Sequence, residues 1–130
     1  MKIAVVSDDQ QTISAHFGRA QYYLIYTIEA GKVAGQETRT KPGHNQFAGE
    51  IHEHHDEPHG TDAHSEARHG NMMDVIMDCN VLLTRGMGQG AYNGLKLRSI
   101  QPIITDIPDA RAAVEAYLAG TIIDHPERLH

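Results

Sequence analysis

The chain has 130 residues, the size of one domain, with 40% apolar residues and a formal net charge of −6 from eleven basic and seventeen acidic side chains. That balance argues against a nucleic-acid partner, because gripping phosphate backbones takes a basic surface that releases counterions. No apolar run approaches the roughly 20 residues of a membrane span, so no membrane partner is expected. The single cysteine, Cys79, excludes an internal disulfide.

Lys2–Ser7 is a short continuous apolar run, the pattern of a central strand covered on both faces. The chain opens directly on this strand and lacks the features of a signal peptide, which predicts a cytoplasmic protein. Asp8–Arg19 reads as a polar loop. Tyr22–Glu29 and Lys32–Arg39 read as strands joined at Ala30-Gly31. Two residues are too few for a parallel crossover, so they form a hairpin. Lys41-Pro42-Gly43 ends strand pairing.

The segment from about 44 to 70 is polar and histidine-rich, and it predicts a mobile loop because it has little apolar surface to offset ordering entropy. Asn71–Asp78 predicts a short helix with Met72, Met73, Ile76 and Met77 on one apolar face, packing into the core. Val81–Thr84 is a strand, Arg85–Gly90 a glycine-rich turn, Ala91–Arg98 a helix and Pro102–Thr105 a strand. Asp106 is placed to cap a helix from Ile107 to Ala119, with Gly120 at its end. Its buried face would carry Ala110, Ala113, Val114, Tyr117 and Leu118. Thr121–His130 reads as irregular. The expected fold class is α/β: a single domain with a mixed five-stranded sheet, an N-terminal antiparallel hairpin plus parallel βαβ units, and helices packed against it.

Two regions carry candidate chemistry for metal. The stretch His52–His69 contains His52, His54, His55, His59, His64 and His69, with Glu53, Asp56 and Glu57 among them. Imidazole and carboxylate together suit divalent ions such as zinc or nickel, but the spacing matches no fixed structural zinc pattern. Ordering such a loop costs roughly 1–2 kcal/mol per backbone residue, so a lone ion would bind modestly. His16 is a separate candidate. It follows the first strand and precedes Phe17, which can anchor the loop to the core, and Gly18, which lets a ligand approach the backbone.

The turn Arg85-Gly86-Met87-Gly88-Gln89-Gly90 stands between a strand and a helix N-terminus. Backbone N–H groups and the helix dipole favour an anion there, and Arg85 adds charge. Read literally, Gly86-x-Gly88-x-x-Ala91 with Asp106 fits a dinucleotide fingerprint. It lies on the fourth strand, with too little chain beyond it for a dinucleotide fold. Cys79 reads as a buried small hydrophobe, since no base beside it is evident. Asp8 and Asp9 follow the first strand, where nucleases place a carboxylate, but the strands Tyr22–Ile28 and Val81–Thr84 supply none for a two-metal site.

The segments MKIAVVSDD, SAHFGRAQYYLIY, LLTRGMGQGAYNGLK and AVEAYLAGTI, in this order, resemble the dinitrogenase iron–molybdenum cofactor biosynthesis family. The resemblance spans nearly the whole chain. It implies a ribonuclease H-like fold and the binding or carrying of an iron–molybdenum cofactor or its iron–sulfur precursor cluster. It also implies partners among cofactor-biosynthesis proteins, with His16 as the natural cluster contact and the glycine turn as its neighbour. The reading is a non-enzymatic carrier in which His16 and the histidine loop supply ligands and Arg85–Gly90 holds anionic charge. One rival is a zinc, nickel or cobalt buffer using the loop alone. Another is a metal-dependent hydrolase.

Overall fold

A computed structural model of the chain describes residues 1–41 and 72–129. Strands β1 (Lys2–Ser7), β2 (Tyr22–Glu29) and β3 (Lys32–Thr40) come first, followed by β4 (Val81–Thr84), helix α1 (Gln89–Leu97), β5 (Gln101–Ile104) and helix α2 (Ala110–Ala119). A short 3₁₀ helix, Pro126–Arg128, closes the described chain. The strands form one sheet in the order β3-β2-β1-β4-β5. β1 pairs antiparallel with β2 and parallel with β4, and β4 pairs parallel with β5.

The apolar run of β1 is central because both its faces are covered: Ile3, Ala4, Val5 and Val6 have no exposed surface. The β2–β3 hairpin turns on Ala30 and Gly31, both at positive φ (53° and 75°), the geometry that matches the strand twist. β3 lies at the sheet edge, and its burial alternates along much of its length. β4 is buried throughout. The sheet edge on the other side is β5, one residue earlier than the periodicity suggests.

Three local expectations need correction. Among the described residues of the helix predicted over 71–78, 72–74 are helical and turns follow over 75–78. There Ile76, Met77 and Cys79 donate their N–H groups to the carbonyls three residues earlier. This tighter winding turns Met77 out to solvent, 53% exposed, while Met72, Met73 and Ile76 stay buried. The last helix starts at Ala110, not Ile107, and its cap is Asp109, whose carboxylate accepts from the Ala112 N–H at 2.8 Å. Asp106 is instead engaged by His125 and Arg128. Backbone bonds from Ile13 to Pro108 and from Ala110 to Gln11 hold 108–110 against the β1–β2 loop. The tail is not irregular throughout. It forms the 3₁₀ turn, and Leu129 makes a parallel bridge with Met87.

Gly120 ends α2 in the left-handed region, φ 75°, as its position after the last apolar residue predicts. No helix among the described residues is long and apolar enough to cross a membrane.

Candidate functional site

β1 and β4 are parallel neighbours, so their following loops leave the same edge of the sheet. Ligands of α/β sheets collect at such edges where the topology changes, and here the sheet passes from antiparallel to parallel pairing. The two loops are hydrogen-bonded to each other. The Phe17 N–H donates to the Gly86 carbonyl at 3.1 Å, and the Arg85 N–H donates to the Ser14 carbonyl at 3.1 Å. The buried Thr84 hydroxyl donates to the Gly86 carbonyl at 2.9 Å and accepts from the Gly86 N–H at 3.3 Å. The His16 segment and the glycine turn, some 70 residues apart in sequence, therefore form one surface.

Phe17 anchors its loop as expected, 1% exposed and packed against Tyr23 at 6.4 Å between ring centroids. The backbone of His16 is tightly held: its carbonyl accepts from the N–H groups of Arg19 and Ala20, and its N–H donates to Ser14 Oγ. Its side chain is exposed and makes no hydrogen bond among the described residues. The ring is thus presented by a tightly held loop, with neither nitrogen engaged by the described residues. Gly18 is exposed, and a Cβ there would meet nothing within 4 Å.

On the facing loop, Gly86 is buried, Gly88 half-buried and Gly90 exposed. Helix α1 starts inside the turn. Its cap position is Gly88, which offers no side-chain acceptor, and its first turn has no acidic residue. Helix α2, by contrast, is capped by Asp109. The N–H groups at the start of α1 are therefore open to an external anion. A Cβ at Gly90 would also meet nothing within 4 Å, so the fold itself does not demand glycine there. Arg85 is half-buried, and its Nε is shielded from solvent with no hydrogen-bond partner among the described residues. Such an orphan donor is rare, and an anion would satisfy it.

Lys2 and Arg39 sit on Asp78, Arg111 on Glu115 and Arg128 on Asp106. Among the described residues no ion pair is made by Arg19, Lys41 and Arg85, in or against the two loops, or by Lys32, Lys96 and Arg98 elsewhere. Lys41 was not evident as a site residue from sequence, where it read as the end of a strand. It is 3% exposed beneath the His16 loop, and burial pulls its pKa down to about 8. Ser14 and Thr84, which join the loops, were missed as well. A polar residue at the carboxyl end of each neighbouring parallel strand or its loop was the available signal.

Other candidates are placed differently. Asp9 closes its own turn, accepting from the N–H groups of Gln11 and Thr12 and from the Thr12 and Ser7 hydroxyls, which holds its pKa well below the usual carboxylate range. Asp8 accepts from the Gln21 N–H. Both serve the loop's shape. Cys79 is buried and its thiol is pushed up to about 12, chiefly by burial, which makes it inert at neutral pH. His52, His54, His55, His59, His64 and His69 lie outside the described residues. Among the described residues no group of three His, Cys, Asp or Glu side chains is arranged to hold a metal ion.

The fold recurs in known structures. The protein PH0822 superposes with a TM-score of 0.70 at 20% identity, over 98% of each chain. A Methanocaldococcus jannaschii protein provisionally described as a dinitrogenase gives 0.64 at 15% identity, covering 97% of this chain and 95% of its own. The apo form of the orange protein from Desulfovibrio gigas gives 0.64 at 21% identity, covering 96% and 92%. At these identities the likeness is one of fold. No curated protein matches the sequence. Residues 1–120 match the family described as dinitrogenase iron-molybdenum cofactor, and the chain belongs to that family.

Proposed function

We propose that this protein is a non-enzymatic carrier of an anionic metal–sulfur cluster, an iron–molybdenum–sulfur cofactor or its iron–sulfur precursor, within cofactor biosynthesis or delivery. The cluster is cargo, and the protein supplies one ligand and a cationic cradle. The observation that carries the reading is the orphaned Arg85 Nε on the loop bonded to the exposed His16 segment. His16 offers a ring nitrogen to a metal, while Arg85 and the open N–H groups of α1 take the cluster's negative charge. The family's connection with iron–molybdenum cofactor supports the same cargo. So does the existence of an apo form of the D. gigas protein, a term used of a protein without a group it binds. The strand order is compatible with a ribonuclease H-like fold, and the carboxylates that a nuclease would need are committed to loop geometry.

A second reading, zinc, nickel or cobalt delivery through the histidine-rich stretch, is favoured by one observation. Lys41 and Met72, the residues flanking 42–71, touch each other at 3.2 Å. Lys41 Nζ lies 3.5 Å from the Gly18 carbonyl, so the stretch leaves and returns beside the His16 loop. Elemental analysis and visible absorbance of protein purified anaerobically without an affinity tag separate the two. Iron, with or without molybdenum, and a visible band support the cluster carrier. A colourless protein holding zinc or nickel supports the second reading and overturns the first.

A further inference from the structure

Lys41 occupies an unusual place for a lysine. Its ammonium lies 5.1 Å from the Phe17 ring centroid and 5.9 Å from that of Tyr23. It approaches the Gly18 carbonyl at 3.5 Å and Met72 Sδ at 3.2 Å. Lysine is almost never this buried without a partner of opposite charge. Among the described residues none is paired with it, and Asp8 is the acid whose field reaches it. The two rings return part of the lost hydration through cation–π attraction. An apolar side chain of the same length would fill the slot between the rings without any desolvation cost. Packing therefore does not account for the charge. What lies above it does: the His16–Gly18 loop and, hydrogen-bonded to that loop, the turn carrying Arg85.

We propose that Lys41 is a specificity-determining residue, whose fixed charge beneath the His16–Gly18 loop favours anionic cargo at this site and opposes bare divalent cations at His16. The assignment rests on the carrier reading and deepens it by naming the charge class of the cargo. Lys41 does not touch the cargo. It acts through the loop, by holding the Gly18 carbonyl and by its field, which burial of the ammonium leaves less screened than that of a surface charge.

The test uses the full chain and two probes, the molybdenum–sulfur dianion tetrathiomolybdate and zinc. Anion affinity is read by titration calorimetry, and zinc at His16 is read from the assigned His16 ring resonances. Lys41→Met should melt at or above the parent temperature, lose at least tenfold in tetrathiomolybdate affinity and take zinc at His16 more tightly. Lys41→Arg, which keeps the charge, should retain the parent preference. Opposite changes for anion and cation cannot come from a general loosening of the loop, which would weaken both. If Lys41→Met weakens both probes, or changes neither while Arg85→Met weakens the anion, Lys41 is a structural residue and the assignment fails while the carrier reading stands. If the parent takes up no tetrathiomolybdate, the carrier reading fails and the assignment goes with it.

Discussion

The Thr84 hydroxyl pins the glycine turn that meets the His16 segment, and its removal has a calculable effect. It accepts from the Gly86 N–H and donates to the Gly86 carbonyl, with no exposed surface. Thr84→Val keeps the shape and removes both bonds. The Gly86 carbonyl still accepts from Phe17, but its N–H is left buried without a partner. An unsatisfied buried donor costs about 1–3 kcal/mol, and the 3.3 Å length of this bond places the cost at the lower end, about 1–2 kcal/mol. For a chain of this size that lowers the melting temperature by roughly 3–8 °C. Thr84→Ser is the control. It loses one buried methyl, about 0.8 kcal/mol, but keeps the hydroxyl. Circular dichroism gives the melting temperatures, and amide hydrogen exchange at Gly86 reads the bond itself. Gly86 should lose protection in Thr84→Val and keep it in Thr84→Ser. Equal Gly86 protection in the Val variant and the parent would refute the claim that this hydroxyl holds the turn.

Three other outcomes follow from the same structure. Asp109→Ala removes the cap of α2 and should cost about 1 kcal/mol by denaturant unfolding, whereas Asp106→Ala, which caps nothing, should leave that helix's amide protection unchanged. Asp78 is held below the usual carboxylate pKa, first by its hydrogen bonds from Arg39 and then by Lys2. It binds its proton more weakly folded than unfolded, so its contribution is present above about pH 4 and drains away as pH falls below that. Half-exposure limits it to under about 1 kcal/mol. Unfolding midpoints should therefore fall less between pH 6 and 2.5 in Asp78→Asn than in the parent. Deleting Gly49–Ala67 touches none of the described core positions and should leave thermal unfolding cooperative while sharply lowering capacity for zinc or nickel. Unchanged metal stoichiometry would detach those histidines from metal handling.

The sheet was legible because its strands carry uniform signals. β1 and β4 are apolar runs buried on both faces, and the hairpin rests on an Ala-Gly turn that local chemistry specifies. What escaped was decided by tertiary contacts. Asp106 and Asp109 are equivalent as caps in sequence, and only the tail residues His125 and Arg128, which bind Asp106, choose between them. The methionine face over 72–77 broke because the backbone tightened into i−3 bonds, a difference that spacing alone does not encode. The candidate site shows the same division. His16, Phe17 and the glycine turn stood out by residue type and position. Lys41, Ser14 and Thr84 matter through what they touch. Nothing in the string of residues reports that the lysine after β3 lies beneath a loop twenty-odd residues earlier.

On the proposed reading, His16 and Arg85 lie on one anion-accepting surface that holds a metal–sulfur cluster. Anaerobic titration with isolated iron–molybdenum–sulfur cofactor, followed by visible absorbance, tests it directly in the parent, His16→Ala and Arg85→Met proteins. The parent should bind saturably, and each variant should lose at least tenfold in affinity, the equivalent of about 1.4 kcal/mol, while melting cooperatively. His16 is exposed and Arg85 makes no ion pair among the described residues, so neither substitution removes a contact the fold depends on. Absence of binding in the parent, or equal affinity in all three proteins, would contradict the claim.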